Sequence, residues 1–97
     1  MKKKYAPIAL IAYNRADTLK KTIQSLEKNK DIKNAEIYIF SDGPQENLLD
    51  KKRVNKVRLL INNIKNLNIK RKFFYKRNHG LKKNILGGIN YVLKKNS

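Results

Sequence analysis

Cysteine is absent from the 97 residues, so disulfides, thiolate nucleophiles and cysteine metal sites are excluded. Histidine occurs once, at His79, and no Asp or Glu follows Asp50, so a metal set or an acid–histidine dyad centred on His79 is not expected. Glycine is scarce, with four residues, and neither G-x-G-x-x-G nor a Walker sequence occurs; a classical dinucleotide or ATPase site is therefore disfavoured. No apolar run is long enough to cross a bilayer. Met1-Lys2-Lys3-Lys4 followed by Tyr5 to Tyr13 has the outline of a signal peptide, but the run is short, contains Pro7 and enters Asn14-Arg15 without a cleavage site. The expectation is a cytoplasmic protein, soluble or peripheral to a membrane.

Acidic residues are missing from half of the chain. Residues 1–50 carry nine Lys or Arg against seven Asp or Glu, whereas residues 51–97 carry fifteen basic residues and no acid, within a net charge of +17. Such an imbalance points to an anionic partner: nucleic acid, an anionic membrane surface or a phosphorylated ligand. A solvated lysine-rich face is the plainer reading. An apolar fraction of 40%, arranged in periodic blocks between turn signals, predicts one small folded domain over residues 1–97.

Two runs read as buried parallel strands. Residues 36–41 (EIYIFS) are β-branched and aromatic without clean alternation and stop on Asp42-Gly43-Pro44; residues 7–13 (PIALIAY) stop on Asn14-Arg15. Residues 69–76, or 71–76 at their core, form a third strand whose Lys70, Arg71 and Lys72 suit a sheet edge. Between the strands, Leu19, Ile23 and Leu26 mark one helix, capped by Asp17 or Asn14 and ending near Lys28-Asn29. Val54, Val57, Ile61 and Ile64 mark a second helix after a polar loop over Gln45 to Asp50. Leu81, Ile85, Ile89 and Val92 mark a third helix, Leu81 to Lys95, despite Gly87-Gly88. The alternation β-α-β-α-β-α predicts an α/β fold with a parallel sheet in the order 3-2-1, a three-layer, Rossmann-like half of a doubly wound domain. The outer edge of strand one then lacks a neighbour, which a homo-oligomer, an unusual edge or further sequence would resolve.

In open α/β sheets, ligands collect outside the carboxyl ends of the strands. Three loops meet there: Asn14-Arg15, Ser41-Asp42-Gly43 and Arg77 to Gly80. A carboxylate can accept from a base N–H or a ribose hydroxyl, while guanidinium and backbone N–H groups face phosphate, so the set suits a nucleotide. Asp42 leads the candidates; its alternative role is a turn residue bonding its own backbone. Arg15 beside a helix N-terminus is electrostatically disfavoured unless it serves a ligand.

The runs PIALIAYNRADTLKKTIQSL, AEIYIFSDGP and KRNHGLKKNILGGINYVL, in this order and spacing, resemble the amino-terminal half of family 2 type glycosyltransferases with the GT-A fold. The pattern is similar to a branch with an asparagine-arginine pair after strand one, and to the animal N-acetylglucosaminyltransferases with aspartate-arginine. The resemblance implies a nucleotide site in which Arg15 and Asp42 hold the nucleotide, Asp42 at the uracil or ribose. Tyr13 and Asn14 would line the base pocket, and Asn78, Gly80 and Lys83 would lie near the nucleotide or its diphosphate. The implied donor is a nucleotide-diphosphate sugar, foremost a UDP-sugar, and the implied cofactor of a full-length member is divalent Mn or Mg. Asn84 and Leu86 stand where many members have a small residue and an asparagine. The D-x-D-type metal motif and the catalytic base belong to sequence beyond these residues, so the chain reads as truncated before the metal site and, alone, inactive. The competing expectation is a non-catalytic basic module that binds nucleic acid or an anionic membrane surface.

Overall fold

The structure is a computed structural model that describes residues 7–30 and 35–80. Over these residues the chain runs β1 (Ile8–Ala12), α1 (Ala16–Lys28), β2 (Ile37–Ser41), α2 (Leu48–Asn62) and β3 (Ile69–Phe74). The third helix expected over Leu81 to Lys95, with Gly87-Gly88 and Lys83, lies outside the described residues. All three strands are parallel, and β2 lies between β1 and β3. The described residues thus form an α/β unit with a three-stranded parallel sheet and two helices.

Every residue of β2 is buried, as its unbroken apolar run requires of a central strand. Ile37 and Ile39 point to one face, where they meet Leu19 and Ile23 of α1 and Val57 and Ile61 of α2. Both helices therefore cover the same face. Tyr38 and Phe40 point the other way and pack with Ala9, Phe73 and Tyr75. Alternation along a strand explains the split, since successive side chains leave opposite faces.

The register places Ile8 opposite Ile37 and Ala12 opposite Ser41. On the other side of β2, Ile37 faces Ile69 but Tyr38 faces Arg71, so Lys70 is an extra residue in β3. A bulge of this kind re-aims the residues beyond it. Here it sets Phe73 opposite Phe40, with the rings stacked at 4.8 Å.

Three boundaries differ from the sequence expectation. β3 ends at Phe74 and Tyr75 already belongs to the following loop, although its N–H still reaches the Ser41 carbonyl at 3.0 Å. The helix α1 starts after Arg15, whose side chain makes no capping bond; Asp17 sits in the first turn, and the Asn14 amide is used elsewhere. The helix α2 begins inside the expected Gln45–Asp50 loop, because the Asn47 side chain accepts from the Asp50 N–H at 2.8 Å and satisfies one of the free donors of the first turn. Among the described residues no helix is long and apolar enough to cross a membrane.

Candidate functional site

Asp42 leaves the carboxyl end of the central strand and is 2% exposed. Its carboxylate accepts four hydrogen bonds. Oδ1 takes the Gly43 N–H at 2.8 Å and the His79 N–H at 2.9 Å; Oδ2 takes the Gly80 N–H at 2.8 Å and the Asn78 amide at 3.3 Å. A carboxylate has about four lone-pair sites, so Asp42 is saturated by its own chain. The turn reading of this residue holds in the bond from Gly43. It bonds the backbone of its own turn, and it also gathers the loop after β3 over the end of β2.

That loop approaches closely because position 43 is glycine. A Cβ on Gly43 would lie 2.5 Å from the carbonyl carbon and oxygen of Arg77. The Asn78 amide donates also to the Gly43 carbonyl at 3.1 Å, and Gly80 turns the chain with a φ of 68°. The His79 ring meets Tyr75 edge-on. Burial, with the Asp42 charge in support, raises the Tyr75 phenol above its ordinary range.

Beside this cluster stands a second acid that sequence reasoning passed over. Asp50, in the first turn of α2, is buried and accepts from the Tyr13 hydroxyl, from the Asn14 amide at 2.8 Å and from the Gln45 N–H at 2.7 Å. Burial alone would raise its pKa; the hydrogen bonds from Tyr13, Gln45 and Asn14 outweigh that and hold it below the ordinary carboxylate value. Tyr13 moves the other way. Burial, the bond to Asp50 and the charges of Asp50 and Asp42 push its phenol up to about 12. The Tyr13 hydroxyl is therefore a fixed donor at neutral pH.

Arg58 closes the arrangement from beneath. Its Nε donates to the Ser41 hydroxyl at 3.1 Å, and its Nη2 donates to the carbonyls of Ser41, Asp42 and Tyr75 at 3.2, 3.2 and 2.6 Å. The guanidinium lies 4.9 Å from the centre of the Phe74 ring. One side chain of α2 thus fixes the ends of both β2 and β3. Burial lowers its pKa somewhat, opposed by the Asp42 charge.

Of the residues singled out from sequence, Asp42, Asn78 and Gly80 are in direct contact, and Tyr13 and Asn14 converge on the neighbouring Asp50. The Asp42 N–H bonds the Ala12 carbonyl at 2.8 Å, which joins the two clusters through the sheet. Arg15 is exposed and lines a groove of about 270 Å³ with Tyr13, Asn14, Thr18 and Thr22, along the edge of β1 away from β2. Asp42, Asn78 and Gly80 do not line that groove. Lys83 lies outside the described residues. A second depression, about 240 Å³, sits between α1 and α2 against Ile23, Leu60 and Ile64, away from these clusters.

In sequence Asp50 closes a polar loop and Arg58 falls within a helix, and neither position announces burial or partners. The spacing Asn47-x-x-Asp50 is the signal that could have exposed the cap. The divalent metal implied by the resemblance finds no ligand set here: no group of three or more His, Asp or Glu assembles among the described residues, and the oxygens of Asp42 and Asp50 are committed to N–H and O–H donors. Comparison of the chain with protein-family models, with curated proteins and with solved structures finds no match in any of the three.

Proposed function

We propose that the chain is the amino-terminal nucleotide-binding part of a GT-A-fold glycosyltransferase, which recognises a nucleotide-diphosphate sugar, foremost a UDP-sugar, at the carboxyl edge of its sheet. The observation that carries this reading is the convergence of three separate loops on that edge, with Asn78, His79 and Gly80 folded onto Asp42 and Tyr13 and Asn14 fixed beside it. A crevice at this end of a parallel sheet is the usual ligand site of open α/β domains.

Each residue has a role that its geometry allows. The Asp42 carboxylate meets a base N–H or ribose hydroxyl by giving up its longest bond, the 3.3 Å contact from Asn78, while the two loop N–H bonds persist. The Tyr13 ring supplies an apolar wall with its hydroxyl held away by Asp50. Arg15, exposed and free of any capping duty, supplies charge to the diphosphate. In this reading sugar transfer also draws on a divalent metal as Lewis acid and on a base, and the residues named here supply the nucleotide contacts.

Titration with uridine diphosphate tests the reading, followed by calorimetry or by amide chemical shifts. Weak, saturable binding is expected. Asp42→Ala should abolish it, and Arg15→Ala should weaken it roughly tenfold through loss of a charge-assisted phosphate contact. Arg15→Ala removes an exposed side chain and leaves the fold intact, so it separates binding from stability. A folded chain that ignores uridine diphosphate but binds a random oligonucleotide, with steep salt dependence and no response to Asp42→Ala, would overturn the proposal in favour of a basic nucleic-acid module.

A further inference from the structure

The geometry points to the outward face of α2, with the adjoining edge of β3, as a surface that docks onto an anionic lipid membrane. Five large hydrophobic side chains are exposed among the described residues, and four of them, Leu48, Leu49, Leu59 and Phe74, belong to these two elements. Leu48, Leu49 and Leu59 are 69%, 58% and 65% exposed. The core-facing side of α2 is already occupied by Val54, Val57 and Ile61, so the outer leucines are a second apolar set and not a misplaced core. By helical spacing, Leu48, Lys52 and Leu59 share one stripe opposite those three valine and isoleucine positions.

Charge chooses the partner. Lys51, Lys52, Arg53 and Lys56 are all exposed on α2, and Lys70 and Lys72 are exposed along β3. Lys72 bonds Asn62 at 3.1 Å, which joins the two elements into one surface on this side. The one acid within α2, Asp50, is buried and committed to Tyr13, Asn14 and Gln45, and the nearest counter-charge to the patch is Glu46, 3.9 Å from Lys51. On such a surface the exposed leucines can enter the acyl boundary while the lysines beside them meet anionic headgroups. A nucleic-acid surface would use the cations but leaves the leucines without a role; α2 has no aromatic ring to stack on bases, and the Phe74 ring of β3 already has the Arg58 guanidinium over it at 4.9 Å. This inference is independent of the nucleotide reading, because the Asp42 carboxylate is held by Gly43, Asn78, His79 and Gly80, which lie outside α2 and β3.

Co-sedimentation of the full chain with phosphatidylcholine vesicles, with and without phosphatidylglycerol, tests it. Binding is expected to the anionic vesicles alone and to fall as salt rises. The double variant Lys52→Glu/Lys56→Glu should weaken binding by at least about tenfold. Leu48→Ser/Leu59→Ser should remove the part that survives moderate salt. All four side chains are exposed, and unchanged circular dichroism and melting would verify that both variants fold. Undiminished vesicle binding by either variant would overturn the proposal. So would the absence of vesicle binding, whether accompanied by oligonucleotide binding sensitive to Lys52→Glu/Lys56→Glu or by a dimer in solution that Leu48→Ser/Leu59→Ser dissociates.

Discussion

Two glycines in this chain answer different needs, and their replacement should differ in cost for that reason. Gly43 sits where the backbone of Arg77 passes so closely that a Cβ would lie 2.5 Å from its carbonyl group, and backbone cannot step aside as a flexible side chain can. Gly80 has open space around the position of its missing Cβ, and only its φ of 68° resists substitution. Gly43→Ala should therefore cost about 2–3 kcal/mol through overpacking, and Gly80→Ala about 1–2 kcal/mol through left-handed backbone strain. Urea unfolding of both variants checks the ranking; equal costs would mean that the Arg77 segment moves freely away from Gly43. The same close approach is what brings the N–H groups of His79 and Gly80 within reach of the Asp42 carboxylate.

The elements β1 and α2 are far apart in sequence, and Asp50 ties them together by accepting from Tyr13 and Asn14. This tie titrates. The folded-state pKa of Asp50 lies below its ordinary value of 3.8, so the unfolded chain binds the proton more readily. The stabilisation is present above that value and is lost as pH falls through the depressed folded pKa. Tyr13 has the opposite sign: with its phenol raised to about 12, its contribution is complete below the ordinary value of 10.0 and is lost as pH climbs through 12. Stability measured by urea unfolding should thus decline on the acid side, and Tyr13→Phe, which removes one donor to Asp50, should flatten that decline and delete a tyrosine that titrates at about 12 from an ultraviolet titration. An acid limb identical in Tyr13→Phe and the parent chain would show that the bond does not govern Asp50.

For the whole molecule, a net charge of +17 on 97 residues means that the compact state gathers like charges which the unfolded chain spreads apart. Few attractive pairs offset this: one Lys–Glu pair, at 3.9 Å and exposed, is the salt bridge found among the described residues. Screening should therefore stabilise the fold, and the melting temperature should rise by several degrees between low and moderate salt, well inside the range in which exposed charges interact. Melting curves at fixed pH in two salts that differ in anion separate simple screening from binding of a particular anion. A melting temperature that falls with salt would mean that attractive pairs, not repulsion, dominate the surface.

The sequence by itself determined the elements. The β-branched and aromatic runs at 8–12 and 37–41, the leucine–isoleucine stripe of α1 and the valine–isoleucine stripe of α2 each announce the period of the structure they form. Cations along residues 70–72 marked β3 as less buried than its neighbours, as it is. The place of Asp42 at a strand end was equally legible, because a Gly-Pro stop fixes where the strand must finish. Tertiary structure alone decided what Asp42, Asp50 and Arg58 touch. The partners of Asp42 lie in the loop at 78–80, those of Asp50 at 13 and 14, and the carbonyls held by Arg58 belong to residues 41, 42 and 75. A local pattern carries no information about partners at such separations. Which polar group is buried, and by whom it is satisfied, is settled only when the strands pair and bring their carboxyl ends to one edge.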